Sequence, residues 1–392
     1  MAETLNMRES SVDEIIRFIK EDLIQMEIYD PVIVLGKMGM GKTASLKNLA
    51  NELNIGYCEL RLVNMTETDM LGIPTVSKEG TTTYASNDLL PIVERDGEVG
   101  ILALDEITSC SSTMRAAAYQ LLDGQRRLGN YKLPDKWICV GLGNGPDDGG
   151  VFNGAEAALF TRCYCFRVAP NLDSWKEWAI EDGINPAVIA YLSYDPTKLH
   201  VYNPDDEMDG ICPTPRTWEK LSKLLNAKEK ANGGNPLPIS VAEFYAGISV
   251  GVKEAGSFSG FYQYTQNGKA VNIADVLSGK ANGKEAAKAE PQVVYIAIEN
   301  LIRVINDTIA HDAQIQTTLE PSDETIDKVC NVVRWITDLA SVRLDYGITG
   351  IRDLISGSSK EFYAIICDDR FDDKCPEFLK FCSDNNVAVK AQ

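Results

Sequence analysis

Pro31-Val-Ile-Val-Leu-Gly36-Lys-Met-Gly39-Met-Gly41-Lys42-Thr43 is an apolar, β-branched run that passes straight into Gly-x-x-x-x-Gly-Lys-Thr. That spacing is the signature of a phosphate-binding loop set between a strand and a helix. Glycines at 36, 39 and 41 let the backbone curl so that successive N–H groups point inward, and the positive end of the following helix falls on the same spot. Main-chain groups of Met38, Met40 and Ala44 complete the cradle expected for a nucleotide. Lys42 is expected to reach the β and γ phosphates. The Thr43 hydroxyl suits Mg²⁺, which takes hard oxygen ligands and is held by one or two protein groups together with phosphates and water. A helical pattern with Leu46, Leu49, Ala50 and Leu53 on one face follows the loop.

Outward from this stretch the chain alternates strands and helices. An amphipathic helix over 11–27, capped by Ser11, precedes the loop. Strands are expected at Tyr57–Leu62, Val99–Leu104, Trp137–Gly143 and Cys163–Val168, with a helix over Ser112–Leu122. Two hairpins interrupt them, one over Thr75–Tyr84 with its turn at Glu79-Gly80 and one over Gly124–Asn130. Such alternation predicts a doubly wound parallel sheet, an α/β fold that binds ligands beyond the carboxyl ends of its strands. From Asn171 the spacing turns helical: 175–180, 186–194, 215–225, 241–252, 291–309 and a helix from Ser322 that stops before Gly347. The reading divides the chain into an N-terminal helix (1–30), an α/β nucleotide-binding core (31–170), a helical lid domain (171–316) and a mostly helical C-terminal extension (317–392).

Composition narrows the function. The 392 residues are 44% hydrophobic and 24% charged, which suits a folded globular protein. There are 57 acidic against 38 basic residues, a net charge of −19. A protein that neutralises nucleic-acid phosphates carries a basic patch, and none is visible, so nucleic acid and anionic membranes are disfavoured partners. The N-terminus lacks a signal-peptide layout and no apolar run is long enough to span a bilayer, which gives a cytoplasmic expectation. Ten cysteines contain no Cys-x-x-Cys, and only His200 and His311 could join them, so zinc-site spacing is absent. Cys163 and Cys165 read as packed small hydrophobes. The acidic clusters at 205–207 and at Asp368–Asp373 read as solvated loops.

Asp105-Glu106 closes the apolar strand that begins at Val99, and a nucleotide site of this type needs an acid there. Asp105 is placed for the Mg²⁺ shell and Glu106 to align and deprotonate an attacking water. Asn144, at the tip of the next strand, reads either as a turn residue or as the amide that orients that water. Arg162 reads either as half of a surface ion pair or as a cation that neutralises charge on the γ phosphate of a neighbouring subunit. Arg216 begins a helix, where a positive charge opposes the dipole unless an anion lies within its reach.

Together these residues resemble the AAA+ ATPases, and specifically their MoxR-like branch, over roughly residues 28–310. Gly36–Thr43 corresponds to Walker A, Leu104-Asp105-Glu106 to Walker B, Asn144 to sensor 1, Arg162 to the arginine finger, and Pro215-Arg216 to sensor 2. Asp69-Met-Leu-Gly72, the hairpin after it and Val250–Phe258 also look like that branch. Met38 replaces a customary proline, and Thr161-Arg-Cys163 replaces Asp-Arg-Phe, which leaves Arg167 as the alternative finger. The resemblance implies an ATP-hydrolysing homo-oligomer, a ring of six, serving a protein partner that is sometimes a von Willebrand factor A-domain protein. A nucleic-acid-stimulated translocase or defence ATPase is the alternative, and a switch with negligible turnover is a third reading that an intact Glu106 disfavours.

Overall fold

The structure, a computed structural model, describes all residues except 1–6, 77, 79, 81, 85–87, 146–147, 149–159, 203–209, 267–270, 319, 357–359 and 388–392. The expected turn residue Glu79 and the 205–207 cluster lie outside the described residues. Two compact units divide the chain: Met1–Asn171 with Tyr202–Asp209, and Leu172–Val201 with Gly210–Gln392. The second contains most of the stretch read as a lid and all of the stretch read as an extension.

The first unit is built on six parallel strands, β1 (Arg8–Ser10), β2 (Val32–Gly36), β3 (Gly56–Arg61), β6 (Val99–Asp105), β9 (Lys136–Gly143) and β10 (Tyr164–Val168). Their order is β1-β10-β2-β9-β6-β3. Two antiparallel hairpins lie outside this sheet, β4 (Pro74–Val76) with β5 (Thr82–Tyr84), and β7 (Arg127–Leu128) with β8 (Tyr131–Lys132). The period of two decides which side chains go where. Ile33, Leu35, Leu102, Leu104 and Cys139 join Met114, Ala118 and Leu121 of the helix Ser112–Leu122 in one core. Val32, Val34, Ile101, Ala103, Ile138 and Val140 join Ile15, Ile19, Leu46 and Leu49 in the core of the other face. Both faces of the sheet are therefore covered, which is why its strands read as unbroken apolar runs rather than alternating ones. The α/β P-loop architecture is observed as expected.

Three local differences have physical causes. The N-terminal helix is α only over Val12–Arg17, where Ser11 and Glu14 form a reciprocal cap, and continues as a π-helix over Phe18–Ile24. Ahead of it Arg8–Ser10 pairs with Phe166–Val168 as an edge strand, which three polar residues gave no pattern to predict. The cluster expected as a solvated loop at Asp368–Asp373 is instead helical over Asp369–Lys374, with the Asp368 side chain accepting the Arg370 N–H as its cap. Cys163 and Cys165 are half-buried against the first core, and burial pushes their thiols up to about 12 and about 11.

The second unit is helical in its described residues. One core gathers Trp175, Tyr191, Trp218, Phe258 and Tyr262; a second runs from Val276 through Ile326, Val333 and Ile336 to Phe378. Because that second core unites residues on both sides of 316, the helices Pro291–Ala310 and Asp323–Ala340 pack as parts of one body. The predicted helix over 241–252 stops at Ser249, where Gly251 takes φ +101 and any Cβ would fall 2.4 Å from the Ile211 carbonyl oxygen. No described helix is long and apolar enough to cross a membrane.

Inside this unit Lys176 Nζ lies 2.5 Å from Asp353 Oδ2 and 3.4 Å from Glu299 Oε1, and all three residues are buried. Burial, only partly offset by Lys176 and reinforced by Asp353, raises the Glu299 carboxyl to about 8. Its folded pKa lies above the unfolded one, so its contribution to stability is full below pH ~4.5 and is lost as pH rises through about 8. Glu299→Gln should therefore flatten the fall in melting temperature between about pH 5 and pH 8. Tryptophan fluorescence reads it well, since Trp175, Trp178, Trp218 and Trp335 all lie in this unit. Parallel pH profiles for the variant and the wild type would refute the assignment.

Candidate nucleotide site

The phosphate loop leaves β2, whose residues are fully buried, and ends at the helix Lys42–Glu52. Its glycines serve two different needs. Gly39 and Gly41 take φ +75 and +84, the left-handed region that favours glycine, and so produce the curl. Gly36 is not left-handed; a Cβ there would lie 2.7 Å from Val168 Cβ on the adjacent β10, so close strand packing requires it. Lys42 Nζ donates to the carbonyl oxygens of Gly36 (2.5 Å) and Lys37 (2.9 Å), which draws the ammonium into the loop. The N–H groups of Lys42, Thr43 and Ala44 occupy the first helical turn, where the helix itself offers no acceptor. Met38 is 40% exposed and Met40 is buried.

β6 delivers Asp105 to the same sheet edge. Thr43 Oγ1 stands 3.4 Å from Asp105 Oδ2, although 62 residues separate them in sequence. Asp105 is nearly buried and its other oxygen accepts the Glu106 N–H at 2.9 Å. Glu106 adopts φ +57, a conformation costing of order 1 kcal/mol or more for a non-glycine residue. Hydrogen bonds hold it there: its carbonyl accepts from Ser109 and Cys110, while the Ile107 N–H donates to Leu142 O at 2.9 Å. The carboxylate is thereby turned out of the strand.

Two residues that the motifs did not single out take part. Arg61 ends β3 level with Asp105, and its guanidinium lies 3.8 Å from Asp105 Oδ2 and 3.9 Å from Glu106 Oε1. Thr108, 3% exposed, accepts the Asn144 N–H at 3.0 Å and sits where a Cβ on Gly143 would stand 2.6 Å from its hydroxyl. Only strand order could have revealed either, because neither belongs to a local pattern. Asn144 itself follows β9, between β2 and β6.

The two candidate fingers differ. Arg167 is well covered, pairs at 3.4 Å with the buried Asp148 and lies within β10. Arg162 precedes β10, keeps 55% of its side chain exposed, and makes a loose 3.7 Å ion pair with Asp123. Arg216, in the second unit, opens the helix Pro215–Ala231; it is exposed and its side chain has no hydrogen bond or ion pair among the described residues.

A parallel sheet that presents a phosphate loop, a hydroxyl and a carboxylate at one edge defines a P-loop nucleotide-binding protein. More narrowly, residues 31–163 match the family model described as AAA domain (dynein-related subfamily). No curated protein matches the chain. Among solved structures, one from Cytophaga hutchinsonii described as a "putative ATPase" is similar at 14% identity, covering 60% of this chain and 79% of that one, with a TM-score of 0.32. That likeness is too remote to carry argument.

Proposed function

We propose that the chain is a Mg²⁺-dependent ATPase of the MoxR-like branch, which forms a homo-oligomeric ring, of six copies as in that branch, and remodels or activates a protein partner in the cytoplasm. The convergence of Thr43, Asp105 and Glu106 at the mouth of the phosphate loop carries this reading. The donors suit the metal: a hydroxyl and a carboxylate are hard oxygens, and a nucleotide's phosphates and water complete such a shell. Thr43 and Asp105 would hold Mg²⁺ there, and the ion would supply neutralisation of phosphate charge.

In this reading Lys42 moves from the Gly36 and Lys37 carbonyls to the phosphates, and the first-turn N–H groups bind the polyphosphate. Glu106 takes a proton from the attacking water. Arg61, beside both acids, holds the Glu106 carboxylate in orientation. Asn144, fixed through Thr108, orients the water. Arg162 neutralises charge at a neighbouring copy's site. Hydrolysis then drives movements that the partner, a von Willebrand factor A-domain protein in the closest functional analogy, experiences as force.

The partner-facing element is the hairpin β4–β5. Val76 is 75% and Ile73 67% exposed, too open for a core role. Replacing Val76–Thr83 with a short Gly/Ser link should leave basal ATP turnover within about twofold of wild type, since surface loops away from a site change little, while partner-stimulated turnover is lost. An unfolded product would mark the hairpin as structural instead. Stimulation of ATP turnover by DNA or RNA would favour the translocase reading, against which the net charge of −19 weighs.

A further inference from the structure

The second unit holds a cleft of about 550 Å³, within the range of small-molecule sites. One wall is a face of the helix Pro291–Ala310; the other comes from the helices Leu172–Glu181 and Pro186–Tyr194 and the turn between them. Ile184, Ile189, Ile302 and Ile309 give it a buried apolar lining. Its titratable lining is three carboxyls against one guanidinium: Glu181, Asp307 and Arg303 are exposed at its mouth, and Glu299 is buried in its wall. Behind that wall one buried cation serves two buried carboxyls. Lys176 donates a hydrogen bond to Asp353 Oδ2, whereas Glu299 Oε1 stands 3.4 Å from the ammonium and makes no hydrogen bond. With both acids ionised the trio carries one uncompensated negative charge, which a buried site tolerates poorly. Arg303 does not supply the missing cation, since its side chain has no hydrogen bond or ion pair among the described residues.

We propose that this cleft binds a small organic cation, a primary ammonium carrying an aliphatic group, whose ammonium pairs with Glu299 while its apolar part lies on the isoleucines. Glu299 is met from the cleft whose wall it forms, and the ligand brings the one positive charge that the trio lacks. The acids at the mouth and the net charge of −19 favour the approach of a cation. Binding exchanges a proton. Burial raises the Glu299 carboxyl to about 8, with Lys176 lowering it and Asp353 raising it, so near neutrality the group is protonated. As the ammonium pairs with it, the carboxyl ionises and its proton passes to solvent. The site belongs to the second unit and does not rest on the ATPase reading.

The test is calorimetric titration of the full chain with hexylammonium chloride, beside hexan-1-ol and sodium hexanoate, in buffers of different ionisation enthalpy. An alkylammonium stays protonated at pH 7 and pH 9, as a lysine does. Hexylammonium should bind more tightly than either comparison compound and release nearly one proton per ligand at pH 7. At pH 9, where Glu299 is already ionised, the release should almost vanish and the affinity rise about tenfold, since the ligand no longer competes with a proton. Glu299→Gln should release no proton, lose this pH dependence and bind about tenfold or more weakly at pH 9. Ala310→Trp, at the exposed end of the helix, obstructs the cleft without touching the buried trio, so it should weaken binding even if the Gln variant does not fold. Equal binding of hexan-1-ol would reduce the cleft to an apolar cavity and overturn the proposal. Tighter binding of hexanoate would assign an anion site at Arg303 instead. Absence of hexylammonium binding, binding without proton release at pH 7, or binding that Ala310→Trp leaves intact would also refute it.

Discussion

Glu106→Gln should bind ATP with near wild-type affinity and hydrolyse it ~10² to 10⁴ times more slowly, the usual worth of a general base. The expectation follows from the backbone around it. Held at φ +57 by bonds from Ser109, Cys110 and its own N–H to Asp105, residue 106 has its side chain pointed away from the strand whichever amide or acid it carries. Glutamine thus keeps the geometry and removes only the ability to accept a proton. Lys42→Ala should behave differently, losing ATP binding itself, because the ammonium supplies charge at the loop in the ground state. Fluorescent-nucleotide titration and steady-state phosphate release separate the two. Turnover of the Gln variant within a few-fold of wild type would take Glu106 out of the mechanism, and undiminished ATP binding by Lys42→Ala would do the same for the lysine.

Arg162→Ala should bind ATP yet be slowed ~10³- to 10⁵-fold, the contribution of a trans-acting arginine in related phosphoryl transfer. In the proposed ring, the sheet register requires the effect to cross a subunit boundary. β10 runs parallel to β2 with Tyr164 level with Val32 and Val168 level with Gly36. The strand alone climbs about 13 Å over those residues, and Arg162 precedes it, near the sheet edge opposite the phosphate loop. Its own loop is therefore out of reach. Its weak 3.7 Å pairing to Asp123 leaves it available, whereas the covered Arg167, tied to Asp148, is not. Head-to-tail contacts of the proposed type close into a ring when their rotation closes. Mixing Arg162→Ala with Lys42→Ala chains should then restore part of the turnover, since some interfaces join an intact loop to an intact arginine. No recovery in a mixture shown to co-assemble, or full activity in a strict monomer, would refute the arrangement.

How much of the site was legible in sequence depended on distance along the chain. The loop at 36–43 and the acids at 105 and 106 were readable because each is a local pattern whose chemistry demands those residues in that order: glycine where φ is positive, a cation and a hydroxyl beside phosphate, an acid after an apolar strand. The helices from Leu172 onward were readable in type, because their apolar spacing matches 3.6 residues per turn. Their ends were not, since Gly251 and Ser341 break helices through contacts and caps that only the packed unit contains.

By itself, then, the sequence determined a parallel α/β sheet with a phosphate loop, since unbroken β-branched runs joined to glycine turns and amphipathic helices admit few other folds. The tertiary structure alone decided which residues meet across it. Gly36 is required by Val168, Thr43 meets Asp105, and Arg61 approaches Glu106 because β3, β6, β2 and β10 lie in that particular order. Lys176 and Asp353 pair across 177 residues. Such contacts depend on where separate elements are packed, and a periodicity of two or of 3.6 residues says which face a side chain takes but never what stands opposite it.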